Sequence, residues 1–353
     1  MTRKTAQYAG RMPQTHLQRP AFLRGIALTF APVLLSAAQI LAQSATRPTL
    51  PYQYFRLGAA ADIASVTQAG FALMGGGADL DEAFRWLCDQ AGGGDFLVLR
   101  ASGNDDYNPY IEPLCKLNSV ATLILPSRAA ASAPFATQAI SHAEAIFIAG
   151  GDQADYIRFW KDTPVQTEIN AAIRRGVPVG GTSAGLAVLG EWVYSAEGDK
   201  PDDPNLESRT VLANPFHPRI MLSGHFLDVP ILKGTITDSH FVKRDRMGRL
   251  LTFLARLGPE TRGIGVDERT AVLVEPDGHA HIVGKGSVYF LQMKGLAEVL
   301  APGKPLSFRD ATVKKVSAGE AFDLKSWRGE AAVYGLSVAK GTIHLTQVGG
   351  AIY

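Results

Sequence analysis

The sequence predicts an α/β fold built on a mainly parallel sheet covered by helices on both faces, with an antiparallel β section towards the C-terminus. Three observations carry this. Short, continuously apolar runs alternate with amphipathic stretches through the first two thirds of the chain, as strands buried on both faces require. Several of those runs end in glycine pairs or triplets, the punctuation of strand-to-helix turns. Beyond about residue 264 the texture changes to closely spaced β runs with tight turns.

In order, Phe71–Met74 reads as a strand running into Gly75-Gly76-Gly77. Leu80, Ala83, Phe84 and Leu87 then recur at helical spacing over 80–90. Residues 95–99, 121–125 and 145–149 are further buried strands, the last ending in Gly150-Gly151. Residues 166–174 read as a helix, and 176–180 as the strand leading into Gly181-Thr182-Ser183-Ala184-Gly185. The late β section holds runs at 270–274, 280–283 and 287–291, with Asp277-Gly278 as the first hairpin turn. This section is expected to complete or extend the one sheet.

The chain has 353 residues, 46% of them hydrophobic, enough for one large domain. Its formal net charge of +2 is too small to indicate nucleic acid or an anionic membrane surface as partner. The first 45 residues differ in kind. Arg3, Lys4, Arg11, Arg19 and Arg24 form a basic leader without an acidic residue, and 25–42 is almost wholly apolar. Small residues follow at Ala42, Ser44 and Ala45, so 1–45 is expected to be an export signal and 46–353 a single domain, secreted or periplasmic. A retained membrane anchor is the alternative, disfavoured because Pro32 interrupts a short apolar run. Cys88 and Cys115 are the two cysteines; both lie in apolar settings, and two free thiols are slightly favoured over a disulfide.

Gly181–Gly185 is the G-x-S-x-G pattern of a nucleophile elbow, with a strand before it and apolar residues after it. A serine on that turn is exposed at the sheet's tip, and the first N–H groups of the next helix can hold an oxyanion. The bland alternative is a tight glycine turn carrying an idle serine. A hydroxyl needs a base, most often a histidine oriented by a carboxylate. Of eight histidines, His240 stands out, in a segment with Asp238, Lys243, Arg244, Asp245, Arg246 and Arg249. Clustered arginines suit recognition of a substrate carboxylate, although a solvated charged helix face gives the same composition. His225 is a reserve base. Gly150-Gly151-Asp152-Gln153, at the end of the strand before the elbow unit, could bring a second oxyanion donor. For the acid, Glu207 and Glu197 are both placed to serve, Asp199 less so, with Glu207 slightly favoured. No metal-ligand spacing, phosphate loop or dinucleotide fingerprint is present, so no cofactor or metal is expected.

Gly-Gly-Asp-Gln, Gly-Thr-Ser-Ala-Gly, Asp-x-His-Phe-x-x-Arg-x-Arg-Met-x-Arg-Leu and Gly-Val-Asp-Glu, in that order, resemble the cyanophycinase and dipeptidase E family of serine peptidases, over roughly 73–291. The resemblance implies a class I glutamine amidotransferase-like fold, with Ser183 as nucleophile and His240 as base. It implies oxyanion donors at Gly151 and Ala184, and substrate contacts from Gln153, Asp238, Arg246 and Arg249. It also implies a peptide substrate rich in aspartyl bonds, such as cyanophycin, which family members cut to β-Asp-Arg dipeptides. An exported N-terminal-aspartyl dipeptidase is a close variant; an α/β-hydrolase-type esterase and a non-catalytic peptide-binding relative are alternatives. A homodimer stays open. Two departures stand out: Ser239 replaces the usual glutamine before the histidine, and an Asp/Pro-rich stretch at 199–205 lengthens the connection to it.

Overall fold

The computed structural model describes residues 49–353 except 201, 204, 347 and 348, and Thr49–Tyr353 forms one unit. The export signal expected at 1–45 lies outside the described residues. Among the described residues, no helix is long and apolar enough to cross a membrane.

Five strands form the parallel centre, in the spatial order Ser119–Ile124, Asp95–Arg100, Ala145–Ile148, Val179–Thr182, Phe71–Met74. Their residues are buried almost without exception, which explains the continuous apolar runs. Alternate side chains enter two separate cores. Ala72, Met74, Phe96, Val98 and Phe147 pack with Phe84 and Leu87 of the helix Asp81–Gln90. Leu73, Leu97, Leu99, Ile146 and Ile148 pack on the other face with Ile169 and Ile173 of the helix Pro164–Arg175. Burying a side chain of this size contributes about 1.5–3 kcal/mol, so each helix is held by its apolar stripe more than by its propensity.

The sheet is mixed as a whole. Gln53–Gly58 adds an antiparallel edge, and Thr270–Val274 pairs antiparallel with Phe71–Met74 on the other side. His279–Gly284, Ala321–Asp323 and Arg328–Gly329 continue outward, giving ten strands. The late β section therefore extends the sheet as expected, but only in part. Ser287–Met293 and later strands build a second, eight-stranded sheet with Trp192–Tyr194, Leu222–Gly224, Thr235–Asp238 and Arg262–Val266. A single continuous sheet was the wrong expectation, because these strands have their own core around the helix Met247–Leu257.

That second sheet positions the histidine. Thr235–Asp238 and Arg262–Val266 run parallel, with Asp238 opposite Gly265, so the loops leaving both strands emerge side by side. Cys88 and Cys115 form a disulfide, with Cα atoms 6.0 Å apart, instead of two free thiols. A buried Cys88 and a half-buried Cys115 fit either state; what decides it is that the helix Asp81–Gln90 lies against the segment after Tyr107–Ile111.

Candidate active site

The elbow is built by steric exclusion. Ser183 sits at φ 53° and ψ −110°, a conformation that L-residues rarely adopt. A Cβ on Gly185 would lie 1.9 Å from the Ile148 carbonyl oxygen, and one on Gly181 would lie 2.5 Å from the Gly185 carbonyl carbon. Both glycines are therefore demanded by close backbone approach. After the turn, Ala184–Ala187 forms a single helical turn.

Ser183 Oγ lies 2.7 Å from His240 Nε2, and His240 Nδ1 lies 2.7 Å from Glu268 Oε1. An ionised carboxylate can only accept, so Nδ1 carries the ring proton and Nε2 is left to accept from the serine. His240 is itself at positive φ, 48°, and its N–H donates to the Gly75 carbonyl at 2.8 Å. Burial pushes its pKa below the ordinary histidine value. The Glu268 hydrogen bond raises it, nearby Arg244 and Arg246 lower it, and the net shift is downward. The bond from His240 holds the Glu268 carboxyl below the usual glutamate range, against a smaller opposing effect of desolvation.

The acid is thus a correction to the sequence analysis. Neither Glu207 nor Glu197 bonds to His240. Glu207 is half exposed and pairs with Arg209 at 2.6 Å, at the start of the helix Ser208–Ala213. Glu197 lines a neighbouring cavity, and Asp199 accepts from Tyr194 Oη and Arg219 Nε. Glu268 holds the position because its loop leaves the strand that runs parallel to the histidine strand. The signal was present in Gly265-Val266-Asp267-Glu268, a buried strand ending in two acids, but sequence order alone did not show which strands pair.

The glycine triplet is more than the strand-ending turn its sequence suggests. It is the floor of the site. A Cβ on Gly75 would meet the Asp267 carbonyl oxygen at 1.9 Å, one on Gly76 would meet His240 Cε1 at 2.5 Å, and one on Gly77 would meet Glu268 Cβ at 3.1 Å. Asp267 completes the clamp, accepting from the N–H groups of Val242 and Ser287.

Beside this array lies a cavity of about 420 Å³ lined by Gly151, Gln153, Tyr194, Arg244, Arg246 and Arg249, among others. Gln153 opens the helix Gln153–Trp160, and its Nε2 donates to the Tyr194 carbonyl at 2.9 Å. Ala184 follows the serine on its own turn; Gly151, at φ 151°, follows Gly150, where an added Cβ would lie 3.5 Å from Ser183 Cβ. Asp238 is buried beneath the cavity, with its oxygens taken by Arg249 and Arg246. Burial pushes its carboxyl up, but the two guanidinium groups outweigh this and hold it below the usual aspartate range. Arg249 also stacks 4.8 Å from the Tyr194 ring centroid, while Arg246 Nε has no partner among the described residues. Ser239, at the departure noted above, accepts from Arg246 through its carbonyl at 2.8 Å. His225 lies elsewhere, beside Trp192. Among the described residues, no group of three or more His, Cys, Asp or Glu is placed to hold a metal ion.

An elbow serine, a histidine and a carboxylate in line, brought together from the carboxyl ends of strands in two sheets, define a hydrolase-like site. The chain belongs to peptidase family S51, whose model matches residues 73–283, the family of cyanophycinases and dipeptidase E. It is 30% identical over 194 residues to a cyanophycinase of Geminocystis herdmanii, covering 54% of this chain and 65% of that protein. It is 31% identical over 186 residues to one of Trichormus variabilis, covering 51% of this chain and 56% of that protein. The chain thus spans less than two thirds of the length of these curated relatives. A crystal structure of a peptidase from an acI-B1 Actinobacterium aligns with 73% of this chain and 98% of its own, at 18% identity and a TM-score of 0.48.

Proposed function

We propose that this chain is an exported serine peptidase that hydrolyses aspartyl peptides, with cyanophycin as substrate and β-Asp-Arg dipeptides as product. The observation that carries the reading is the Ser183–His240–Glu268 line, with both hydrogen bonds at 2.7 Å. In this reading Ser183 Oγ attacks the scissile carbonyl carbon as its proton passes to His240 Nε2. Glu268 keeps the ring in the accepting tautomer and stabilises the imidazolium. The N–H groups of Ala184 and Gly151 stabilise the tetrahedral oxyanion. The imidazolium then protonates the leaving amine, and a water activated by the same histidine hydrolyses the acyl-enzyme.

The cation-rich cavity supports an acidic substrate group. Arg246 and Arg249 would bind it, with Gln153 alongside, and Asp238 would act through them by fixing their positions. The similarity to cyanophycinases favours the polymer over an Asp-Xaa dipeptide. Kinship with class I glutamine amidotransferases belongs to this reading as well. Export rests on the leader sequence, and the disulfide supports it, because such bonds persist in oxidising compartments.

The test incubates the protein and its Ser183→Ala variant with cyanophycin and with an Asp-Xaa dipeptide. Release of β-Asp-Arg by the parent alone is expected. Turnover of the dipeptide alone would move the assignment to an aspartyl dipeptidase, and turnover of neither would sink the substrate reading.

A further inference from the structure

The turn from His240 to Arg246 joins the strand Thr235–Asp238 to the helix Met247–Leu257, and it carries the imidazole that faces Ser183. It is tight at both ends, with His240 and Asp245 at positive φ, 48° and 47°. The N–H groups of Arg244, Asp245 and Arg246 donate within it, to the carbonyls of His240, Val242 and Phe241, at 3.0, 3.0 and 2.9 Å. Such a backbone persists only where its surroundings over-determine it.

The helix adds a second demand. Its first N–H groups have no partner of their own, and Arg246, which precedes it, supplies no side-chain cap. Two hydroxyls from distant parts of the chain take that place. Ser208 Oγ accepts from the Gly248 N–H at 3.0 Å and donates to the Asp245 carbonyl. Tyr353 Oη accepts from the Met247 N–H at 2.8 Å and donates to Asp245 Oδ1 at 2.8 Å. One phenol thus ties the strained end of the turn to the first residue of the helix.

Tyr353 is itself held. Its ring stands edge-on to those of Phe241 and Tyr289, with centroids 5.9 and 5.8 Å away. Phe241 follows His240, and its ring lies against Gly265, where an added Cβ would meet Cδ2 at 2.5 Å. Gly265 belongs to the strand Arg262–Val266, whose loop carries Glu268. Tyr334 Oη donates to the Ile352 carbonyl at 2.7 Å and fixes the backbone just before the tyrosine. Burial and the bond to Asp245 push the phenol pKa up, so the hydroxyl keeps the proton it donates. A phenylalanine would fill the same space; only the hydroxyl reaches the turn.

We propose that Tyr353 is a positioning residue, which through Asp245 and Met247 locks the 240–246 turn and so holds His240 on the line between Ser183 and Glu268. This rests on the peptidase reading above. It goes further in giving a residue distant in sequence a place in the reaction.

The test compares the full chain with its Tyr353→Phe variant, which keeps the ring and loses both bonds. The first readout is the His240 Nδ1 proton, which NMR finds far downfield when a carboxylate accepts it; no turnover is needed. Its exchange with solvent is expected to become about tenfold faster, as local opening of the turn requires. The second is the rate at which a fluorophosphonate labels Ser183, expected to fall about tenfold through misplacement of the base. Ile343 packs against the same core from the strand Thr342–Leu345, so Ile343→Ala should lower the denaturation midpoint and leave both readouts at parent values. Unchanged exchange in Tyr353→Phe, or an equal change in Ile343→Ala, would overturn the proposal. So would faster exchange with an unchanged labelling rate, since the turn would then loosen without consequence for the serine. Absence of the downfield resonance from the parent chain would remove the held histidine, and the proposal with it. A parent that shows the resonance yet is not labelled at Ser183 would count against the peptidase reading, and the exchange rates would then decide the role of Tyr353.

Discussion

His240 sits between opposing influences, and the balance sets a pH profile. Burial, Arg244 and Arg246 lower its pKa, while Glu268 raises it. A base must be neutral to accept a proton, so the acid limb of kcat/KM should fall below the ordinary histidine value of 6.5. Arg244→Ala removes a cation and should move that limb to higher pH. Glu268→Gln removes the anion and should move it to lower pH, and on the proposed mechanism kcat should fall by roughly 10³–10⁴, the loss typical of removing a triad acid. Glu207→Gln should leave both the rate and the profile unchanged. An unchanged rate in Glu268→Gln would refute its role. The pairing of Ser183 with His240 was legible because each sits in a distinctive local pattern. The place of Glu268 beside the histidine was not, because it depends on which strands pair, a non-local fact that the acids near the elbow obscured.

At the scale of elements, the glycine turn and the buried charge cluster each make a prediction. Gly76→Ala places a methyl group 2.5 Å from His240 Cε1 at a φ of +89°. The strain should cost about 1–3 kcal/mol, and displacement of the imidazole should lower kcat far more than it raises KM. Chemical denaturation and steady-state kinetics on the same sample separate the two effects. If kcat is retained, the turn does not hold the histidine. Asp238→Asn leaves Arg246 and Arg249 buried without their counter-charge, which should destabilise the fold by about 3–5 kcal/mol. A loss under 1 kcal/mol would mean the arginines find water. The parallel strands and their glycine ends were readable from period and punctuation. The second sheet was not, since half of its strands come from segments that flank the histidine and read as connections.

For the molecule as a whole, the disulfide and the leader converge on one expectation. Cys88 and Cys115 are 27 residues apart, and closing a loop of that size removes about 3.5 kcal/mol of unfolded-state entropy in the chain-entropy model. Two cysteines in apolar settings could not be resolved from sequence, because burial serves a thiol as well as a bonded pair. A bond that contributes this much belongs in a compartment that keeps it oxidised. The export signal expected at 1–45, cut near Ala42–Ala45, would deliver the chain there. Expressed in a Gram-negative host, the full-length chain should appear in the periplasm or medium, shortened by about 45 residues. Acid-quenched thiol trapping should find no free cysteine, and Cys88→Ser should lower the denaturation midpoint. Recovery of the unshortened chain from the cytoplasm, with both thiols reactive, would overturn export and remove the condition under which the bond could contribute to stability.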